Sequence, residues 1–466
     1  MHQLSRRRFI QSVAAMSSLA VTPARGKVSG RVVVVGAGLS GLNAALHLEH
    51  LGCEVTVLEA RHRVGGRVYT LDHVAGHPEG GGNIFGGSYG RVLHTAQQLG
   101  VALRKPPRGL PSDFYVRGKV ISASEWPDAP ANQLPADWRE LLPSRLQGRL
   151  QPSNPLLTTR NWLDPALNTA DQNALDGMRA LGFPDEAIRL IGANNSYGNR
   201  MADTSLLSLY RVRAEFSRLT GSQLSFTEAA LGNQRLPEAM AAALKGQIRL
   251  SAPVRRITQD QSRVSIGLEN GEMIDADALV MTAPLPALSK IEWAIPAERR
   301  RLIESVEYHK VLQAHLVVEA PYWEKRGQAG SWWTDGPLGR IFVRPIPGTA
   351  RYNLTVWING DDCDPLDAMP KADCQAEIVK QLYSLVPDAK GAVTIGDVVR
   401  WSTDPYAGGV WSLWRPGQAA QAHSALRAPL GRTYFAGEHT AISYRGMEGA
   451  MESGERAALE VARSLS

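Results

Sequence analysis

The chain has few cysteines, lacks long apolar runs after its N-terminal region and carries only a small excess of positive charge. Its 466 residues include only three cysteines, none of which forms a Cys-x-x-Cys pair, so the sequence predicts neither a disulfide framework nor a metal centre. No segment after the N-terminal region approaches the roughly 20 apolar residues that a membrane-spanning helix needs. Of the formal net charge of +6, three charges come from Arg6, Arg7 and Arg8, which leaves too small an excess to indicate a nucleic-acid partner.

A glycine-rich turn follows four consecutive valines near the N-terminus. Residues 32–35 are all valine, which is typical of a strand buried on both faces, and an amphipathic helix is expected over residues 39–50. The turn between them is Gly36-Ala37-Gly38-Leu39-Ser40-Gly41. In this pattern the first glycine permits a tight turn, the second lets the backbone approach a phosphate, and the third lets the helix pack on the strand. The helix N-terminus then offers free N–H groups and a positive dipole end to a pyrophosphate.

A second apolar run, residues 54–58, ends in an acidic residue. Glu59 follows Gly41 by eighteen residues, a position from which a carboxylate accepts hydrogen bonds from both hydroxyls of a ribose. An acid there suits an unphosphorylated ribose and disfavours NADP. This order and spacing of features predicts a Rossmann-like unit that binds a dinucleotide: a strand, the glycines, a helix, a second strand and the acid.

Two further regions extend the pattern. After Glu59 the chain continues as a basic, double-glycine loop, Ala60-Arg61-His62-Arg63-Val64-Gly65-Gly66-Arg67. Near the C-terminus, residues 433–440 are typical of a short buried strand and a turn, and residues 446–458 of a helix. Together these segments resemble the flavin-containing amine oxidase family, which includes monoamine oxidases, polyamine oxidases and L-amino-acid oxidases. The resemblance covers nearly everything from Arg31 to the C-terminus.

The resemblance implies an α/β fold of the two-dinucleotide-binding-domain FAD flavoprotein type, in which a Rossmann-like GxGxxG domain is combined with an interleaved α+β substrate domain. The length of the chain also favours two domains. The FAD-binding domain is predicted over residues 30–90, 222–285 and 395–466, and the substrate-binding domain over 91–221 and 286–394. In the family, FAD lies extended, with adenine at the GxGxxG turn and isoalloxazine against the C-terminal helix.

The resemblance also implies which residues hold FAD. Glu79 matches the acid of the family's acid-x-Gly-Gly loop, whose glycines permit the backbone to lie directly on a flat ring system. Val254 is expected to meet adenine through its backbone, Glu438 the ribityl or phosphate region, and Met447 the pyrimidine edge through its N–H. The complete predicted cofactor-binding set is Gly36, Gly38, Ser40, Gly41, Glu59, Ala60, Arg61, Gly66, Arg67, Gly81, Gly82, Asn83, Val254, Trp401, Gly437, Glu438 and Met447.

The residues expected around the substrate depart from the family. In monoamine oxidases two aromatic side chains sandwich the amine; Trp411 matches one of these positions, whereas Gly446 matches the other and opens the sandwich on one side. Tyr444 and Arg445, which precede Gly446, are candidates to reach into this gap. Val410 matches the position of the cysteine that can carry the flavin covalently, so FAD is expected to be held without a covalent bond.

Two other family positions are changed. Ile84 replaces the arginine that grips the substrate carboxylate in snake-venom-type L-amino-acid oxidases, which argues against a typical L-amino-acid substrate. Gln313 replaces the lysine that holds a water near the reactive flavin nitrogen, with Lys310 three residues earlier. A glutamine positions a water without supplying a positive charge, so a quinone or cytochrome acceptor is an alternative to oxygen. Trp411, Gln313 and Tyr444 are the candidate catalytic residues.

The N-terminus resembles a twin-arginine export signal. The segment Ser5-Arg6-Arg7-Arg8-Phe9-Ile10-Gln11 opens a modest apolar stretch, and residues 22–24 offer a small-residue cleavage site. Twin-arginine export carries folded proteins, which suits a protein that binds FAD before transport. A signal peptide is therefore predicted over residues 1–24, with a soluble, periplasmic mature protein and the export machinery as a partner.

The resemblance implies FAD-dependent oxidation of a primary or secondary amine to an imine that hydrolyses to a carbonyl product. Hydrogen peroxide is formed where oxygen is the acceptor. Two alternatives remain open: a desaturase or ring oxidase of the phytoene-desaturase or protoporphyrinogen-oxidase type, and a non-catalytic flavin-binding module. Fold-level analogy constrains the substrate poorly, and neither the amine nor the oligomeric state follows from the sequence.

Overall fold

The computed structural model describes residues 28–217, 219, 221 and 225–466. The predicted signal peptide, residues 1–24, lies outside the described residues. Within them the chain forms a five-stranded parallel sheet and a seven-stranded mixed sheet, with smaller sheets beside these two.

The five-stranded sheet carries the glycine-rich turn. Its strands, in order across the sheet, are Thr433–Phe435, Ala278–Met281, Arg31–Val35, Glu54–Leu58 and Gln247–Arg249. Alternate valines of the central strand pack in different clusters: Val32 and Val34 with Leu42, and Val33 with Leu279. The valine run is therefore buried on both faces, as predicted from the sequence.

The first and last helices pack against each other beside this sheet. Helix Leu39–Leu51 begins directly after Gly38, and the C-terminal helix spans Gly446–Leu465. A Cβ atom at Gly454 would lie 2.2 Å from the carbonyl oxygen of Ser40, so only glycine allows this approach. The Ser40 and Ser453 hydroxyl oxygens are 3.1 Å apart. The contact joins the two ends of the described chain in one unit.

The seven-stranded sheet supplies the opposite wall of the site. Its strands, in order across the sheet, are Val393–Arg400, Val311–Val318, Tyr352–Asn359, Arg340–Pro345, Ser331–Thr334, Ser112–Val116 and Lys119–Ile121. In the second of these strands, Leu312 and Leu316 pack in a cluster with Ile378 of the helix Lys371–Leu385. Because side chains alternate along a strand, Gln313 lies on the opposite face. The first strand of the sheet straddles the predicted domain boundary between residues 394 and 395.

Shorter elements complete the fold. A four-stranded sheet contains Met273–Ala276, Val264–Leu268, Val254–Gln259 and Glu292–Trp293; Glu307–Tyr308 pairs with Ser412–Leu413; and Phe226–Ala229 lies between Phe85–Gly86 and Leu103–Arg104. The remaining α-helices are Gly90–Gln98, Ala174–Ala180, Asp185–Ala193, Leu206–Ser217, Arg235–Ala243, Leu285–Leu288, Ala297–Ser305, Asp364–Asp367 and Gln418–Arg427. In the described part of the chain, no helix combines the length and apolar character that crossing a membrane requires.

Candidate active site

A cavity of about 450 Å³ is lined by both large sheets and by the N-termini of the first and last helices. It brings together most of the predicted site residues, namely Gly36, Gly38, Ser40, Glu59, Ala60, Arg61, Gly66, Arg67, Gly81, Gly82, Asn83, Val254, Gln313, Trp401, Trp411, Gly437, Glu438 and Met447. Gly41 and Tyr444 are the predicted site residues that do not line it.

The glycine-rich turn forms one end of the cavity. Gly36 has φ +103°, a conformation that residues with a Cβ rarely adopt. A Cβ atom on Gly38 would meet no atom within 4 Å, so the backbone there is open to a ligand. The following helix has no side-chain cap and no acidic residue in its first turn, which leaves its N–H groups and dipole free to bind an anion. A Cβ atom on Gly41 would lie 1.9 Å from the carbonyl oxygen of Gly36, so this glycine serves helix–strand packing.

Glu59 is held beside this turn. It is 4% exposed, and its Oε2 accepts a 2.8 Å hydrogen bond from the backbone N–H of Ala37. Its Oε1 accepts another of 2.8 Å from the N–H of Arg61, whose guanidinium donates to Asp404 at 2.5 Å. Each carboxylate oxygen retains acceptor capacity, which is what recognition of a ribose diol requires.

The segment that contains Gly81 and Gly82 packs closely against three other parts of the site. A Cβ atom on Gly81 would lie 2.0 Å from the carbonyl oxygen of Arg67, and one on Gly82 would lie 2.8 Å from the Sδ atom of Met447. The indole Nε1 of Trp401 donates a 2.7 Å hydrogen bond to the carbonyl oxygen of Gly80. The backbone at Gly81 and Gly82 therefore forms a thin, side-chain-free wall of the cavity.

An ion pair fixes the turn at Glu438. Its Oε2 lies 3.3 Å from Arg67 Nη1, and its Oε1 accepts hydrogen bonds from both the N–H (2.8 Å) and the hydroxyl (2.7 Å) of Ser412. Burial opposes ionisation, but Arg67 and the Ser412 hydrogen bonds outweigh it and hold the pKa of Glu438 below its usual range. Glu438 is thus an ionised, oriented acceptor on the cavity wall.

Trp411 forms an aromatic wall further along the cavity. Its indole Nε1 is buried and has no hydrogen-bond partner among the described residues. The ring of His309 stacks on the Trp411 ring with a centroid distance of 5.2 Å and an interplanar angle of 18°. Burial lowers the pKa of His309 to about 4, so the imidazole is neutral at neutral pH. The stacking fixes the plane that Trp411 presents to a ligand.

The position that matches the family's second aromatic residue is open. Gly446 lines the cavity with φ +58°, and a Cβ atom there would meet no atom within 4 Å. The guanidinium carbon of Arg445 lies 5.9 Å from the Trp411 ring centroid and 4.7 Å from that of Tyr197. Tyr444 does not line the cavity; its N–H is bonded to Glu452 and its carbonyl oxygen to Arg211. Arg445 lies beside Trp411 but, like Tyr444, is not among the residues that line the cavity.

Gln313 lies in the same region, on the seven-stranded sheet. It lines the cavity, is 1% exposed, and has no partner for its Oε1 among the described residues. Lys310 is turned away, because its Nζ binds Asp361 at 2.9 Å and Asp364 at 2.6 Å. Gln313 therefore lines the cavity whereas Lys310 does not, and the match of Gln313 to the family's lysine position stays a prediction.

Sequence reasoning missed Trp357 and Tyr89, which also line the cavity. Trp357 is the cross-strand partner of Gln313, and its indole donates a 2.9 Å hydrogen bond to Oδ1 of Asn359. Tyr89 lies in the glycine-dense segment after Glu79, and that density was the only sequence signal for it. Among the described residues, no group of His, Cys, Asp and Glu side chains is arranged to hold a metal ion.

Comparison with known proteins identifies the family. Residues 39–462 match the model of the flavin containing amine oxidoreductases. The chain belongs to this family. It is 28% identical to mouse L-amino-acid oxidase over 461 residues (92% of this chain, 70% of the relative). It is also 28% identical to human flavin-containing amine oxidase B over 460 residues (93% and 86%).

Solved structures of amine oxidases share the fold. Cyclohexylamine oxidase from Brevibacterium oxydans IH-35A superposes with a TM-score of 0.78 at 22% identity, covering 94% of this chain and 99% of that one. Wild-type putrescine oxidase bound to putrescine superposes with a TM-score of 0.74 at 22% identity, covering 93% and 99%. The predicted α/β flavoprotein fold is confirmed.

Membership of the amine oxidoreductase family confirms FAD as the cofactor and amine CH–NH or CH–NH₂ groups as the donors that the enzyme oxidises. The cavity independently fits a dinucleotide, because an open glycine turn and the uncapped N-terminus of a helix lie beside Glu59, and the backbone at Gly81 and Gly82 lines the same cavity. The family match therefore favours amine oxidation over the desaturase and non-catalytic alternatives.

Proposed function

We propose that this amine oxidoreductase is a periplasmic enzyme that receives an uncharged primary or secondary amine in the space between Trp411 and Gly446. The observation that carries the proposal is the open volume at Gly446, where a Cβ atom would meet nothing within 4 Å. Trp411, whose ring stacks on His309, lines the same cavity as Gly446. Such a site accepts a bulkier carbon skeleton than a closed aromatic sandwich does.

The residues that line the cavity have separate roles in binding FAD and in binding the amine. Gly38, Glu59, Gly82 and Met447 would hold FAD, which supplies the two-electron acceptor for the carbon next to the amine nitrogen. Trp411 excludes water and holds the carbon skeleton against its face. The unpartnered Oε1 of Gln313 accepts a hydrogen bond from the amine N–H or from a water. Loss of two hydrogens gives an imine, and addition of water releases a carbonyl compound together with ammonia or a smaller amine.

We also propose that FAD is bound without a covalent link. Val410 lines the cavity at the family's cysteine position and has no nucleophilic atom. Cys53, Cys363 and Cys374 are buried and do not line the cavity. Denaturation in acid should release all of the flavin into the supernatant after precipitation.

The electron acceptor is inferred from the residue at position 313. Gln313 places no charge in the cavity, which favours slow reaction with oxygen and a second acceptor, such as a quinone or a cytochrome.

Periplasmic location rests on the sequence of residues 5–11 alone. Replacing Arg6 and Arg7 together by lysine should retain the protein in the cytoplasm, as measured by fractionation, whereas unchanged export would contradict the twin-arginine proposal.

The activity is tested by product analysis. Purified protein is incubated with a panel of linear, cyclic and aromatic amines and an artificial electron acceptor, and carbonyl compound and ammonia are measured. We expect equimolar carbonyl compound and reduced acceptor from at least one amine. The Trp411→Ala protein should retain FAD and lose most of this turnover; full turnover would exclude the proposed role of Trp411.

A further inference from the structure

Two tryptophans of the cavity wall, Trp357 and Trp411, are connected to the side chain of Asn359. Asn359 is the last residue of the strand Tyr352–Asn359 and follows Trp357 by two residues, so both side chains lie on the same face of the seven-stranded sheet. Asn359 does not line the cavity that the two tryptophans line; it lines another cavity, of about 350 Å³. Its side chain therefore acts on a ligand of the first cavity only through its neighbours.

The contact between Asn359 and Trp357 is direct. The indole Nε1 of Trp357 donates a 2.9 Å hydrogen bond to Oδ1 of Asn359. Because an indole N–H only donates, the accepting atom is the amide oxygen. The Ser196 hydroxyl, which accepts a 2.6 Å bond from Nη2 of Arg340, donates to the same oxygen at 3.4 Å. These donors fix the orientation of the Asn359 amide.

The contact between Asn359 and Trp411 passes through His309. Nε2 of His309 lies 3.1 Å from the same Oδ1, and an amide oxygen only accepts, so Nε2 carries the proton of the imidazole. The His309 ring stacks on the Trp411 ring at a centroid distance of 5.2 Å. The backbone N–H of His309 also donates a 2.9 Å hydrogen bond to the carbonyl oxygen of Trp411. Asn359 thus fixes the plane of the ring against which Trp411 packs.

One oxygen atom therefore accepts hydrogen bonds from two aromatic rings. Without it, the Trp357 indole and the His309 imidazole each lose this acceptor, and His309 has an exposed fraction of 0%. Buried donors are normally satisfied, so both rings should turn toward other acceptors. Trp357 would then move directly, and Trp411 would lose the fixed plane of its stacking partner.

We propose that Asn359 is a positioning residue of the amine site, which orients Trp357 directly and Trp411 through His309. The inference rests on the proposed function and deepens it, because it identifies what sets the affinity of the site for the carbon skeleton of the amine. The tryptophans contact the part of the amine that does not react. Loss of Asn359 should therefore weaken binding of the skeleton more than it slows reduction of the flavin by bound amine.

Two substitutions of Asn359 separate its oxygen from its size. Asn359→Leu removes the acceptor at similar volume. Asn359→Asp keeps an acceptor oxygen at the same place; because Nδ2 of Asn359 has no partner among the described residues, an oxygen in its place breaks none of these hydrogen bonds. Only the leucine variant should release the two rings.

The first measurement compares phenethylamine with ethylamine, which differ by the aromatic ring. The apparent Kd and the limiting rate are obtained anaerobically from flavin reduction in the FAD-loaded protein, or from perturbation of the flavin band where an amine binds without reducing it. In Asn359→Leu, the Kd for phenethylamine should rise roughly 10-fold, the worth of one lost aromatic contact. The limiting rate and the Kd for ethylamine should change much less, and Asn359→Asp should stay close to the wild type.

Asn353→Leu is the matched control. Asn353 belongs to the same strand, its Nδ2 donates a 2.6 Å hydrogen bond to the carbonyl oxygen of Ala75, and it does not line the cavity. The substitution should lower the stability of the protein and leave the Kd for both amines unchanged. An equal rise of the phenethylamine Kd in Asn353→Leu would show general loosening of the sheet and would overturn the proposal.

The second measurement needs no amine. Nuclear magnetic resonance of protein labelled with ¹⁵N in histidine and tryptophan reports the imidazole tautomer and the indole N–H groups. We expect His309 to carry its proton on Nε2, and the Trp357 and Trp411 indole signals to shift in Asn359→Leu but not in Asn353→Leu. Asn359→Asp should raise the pKa of His309, because a carboxylate stabilises the imidazolium while Arg445 and Arg340, which oppose its protonation, are unchanged.

The outcomes distinguish this inference from the proposed function. If an amine reduces the flavin but Asn359→Leu changes neither the indole signals nor the phenethylamine Kd, the positioning role is wrong and amine oxidation stands. Shifted indole signals with an unchanged Kd also overturn the proposal. If no amine of a wider panel reduces the flavin while Asn359→Leu shifts both signals and weakens phenethylamine binding, the proposed function fails and the positioning role stands.

Discussion

The Nη1 atom of Arg67 donates a 2.6 Å hydrogen bond to the carbonyl oxygen of Val410, 343 residues further along the chain. The same nitrogen lies 3.3 Å from Glu438. One guanidinium therefore ties the loop after the first dinucleotide-binding unit to the segment that carries Trp411 and to the turn before the C-terminal helix. These contacts of Arg67 explain how three segments that are far apart in the sequence form one site.

Replacing Glu59 by glutamine should weaken FAD binding. The buried carboxylate accepts from two backbone N–H groups, and an amide satisfies fewer of these donors and of the ribose hydroxyls. We expect the Kd for FAD to rise roughly 10- to 100-fold, as measured by flavin fluorescence on titrating the apoprotein. Glu54→Gln, at the exposed start of the same strand, is the control; equal affinity in both variants would contradict the role of Glu59.

Filling the gap at Gly446 should narrow the substrate range. Gly446→Phe restores an aromatic wall in space where a Cβ atom meets nothing. The left-handed backbone should cost about 1–2 kcal/mol of stability. Gly446→Ala carries the same backbone cost without filling the gap. We expect only the phenylalanine variant to lose activity on bulky amines relative to small ones. Parallel losses in both variants would show that the gap does not set specificity.

A positive charge at position 313 should speed reaction with oxygen. Gln313→Lys places an ammonium group beside the region where charge develops during oxygen reduction, which should raise the reoxidation rate roughly tenfold or more. Stopped-flow mixing of the reduced protein with aerated buffer measures this rate. Gln313→Met has similar length without the charge, and a lysine variant no faster than the methionine variant would exclude the electrostatic explanation.

The buried acid Glu79 should make stability depend on pH. It accepts hydrogen bonds from the Thr70 hydroxyl (3.0 Å) and the Asn233 N–H (2.7 Å). Burial raises its pKa from 4.5 to about 8. The folded state then binds a proton that the unfolded state releases, so this contribution to stability is full below pH 4.5 and is lost by about pH 8.

Glu79→Gln remains uncharged at every pH, so its stability relative to the wild type should improve as the pH rises through that interval and then level off. Urea denaturation of both proteins at several pH values measures the difference in unfolding free energy. A difference that does not vary with pH would mean that Glu79 is ionised throughout.

The residues predicted to bind the cofactor were inferred from local sequence patterns. Gly36, Gly38 and Glu59 act through turns and strand ends whose conformation is set within a few dozen residues, and the buried valine run was equally local. The structure places all three on the wall of one cavity, and their contacts with the cofactor stay a prediction.

The residues at the substrate end of the cavity are positioned by long-range contacts, so local sequence patterns did not predict them. Trp357 reaches the cavity through its antiparallel register with Gln313, and a shift of one residue would turn it to the other face. The segment before Gly446 is held by Arg211, which donates to the carbonyl oxygens of Ala441, Ile442 and Tyr444. Nothing in the local sequence indicates these partners.

Amine oxidation at this site is tested most directly by anaerobic mixing of the FAD-loaded protein with the amine panel while the visible flavin band is recorded. We predict that at least one amine bleaches the band fully and that recolouring on admission of air is slow compared with recolouring by a quinone. A fully loaded flavin that no amine bleaches would contradict the assignment of this site to amine oxidation.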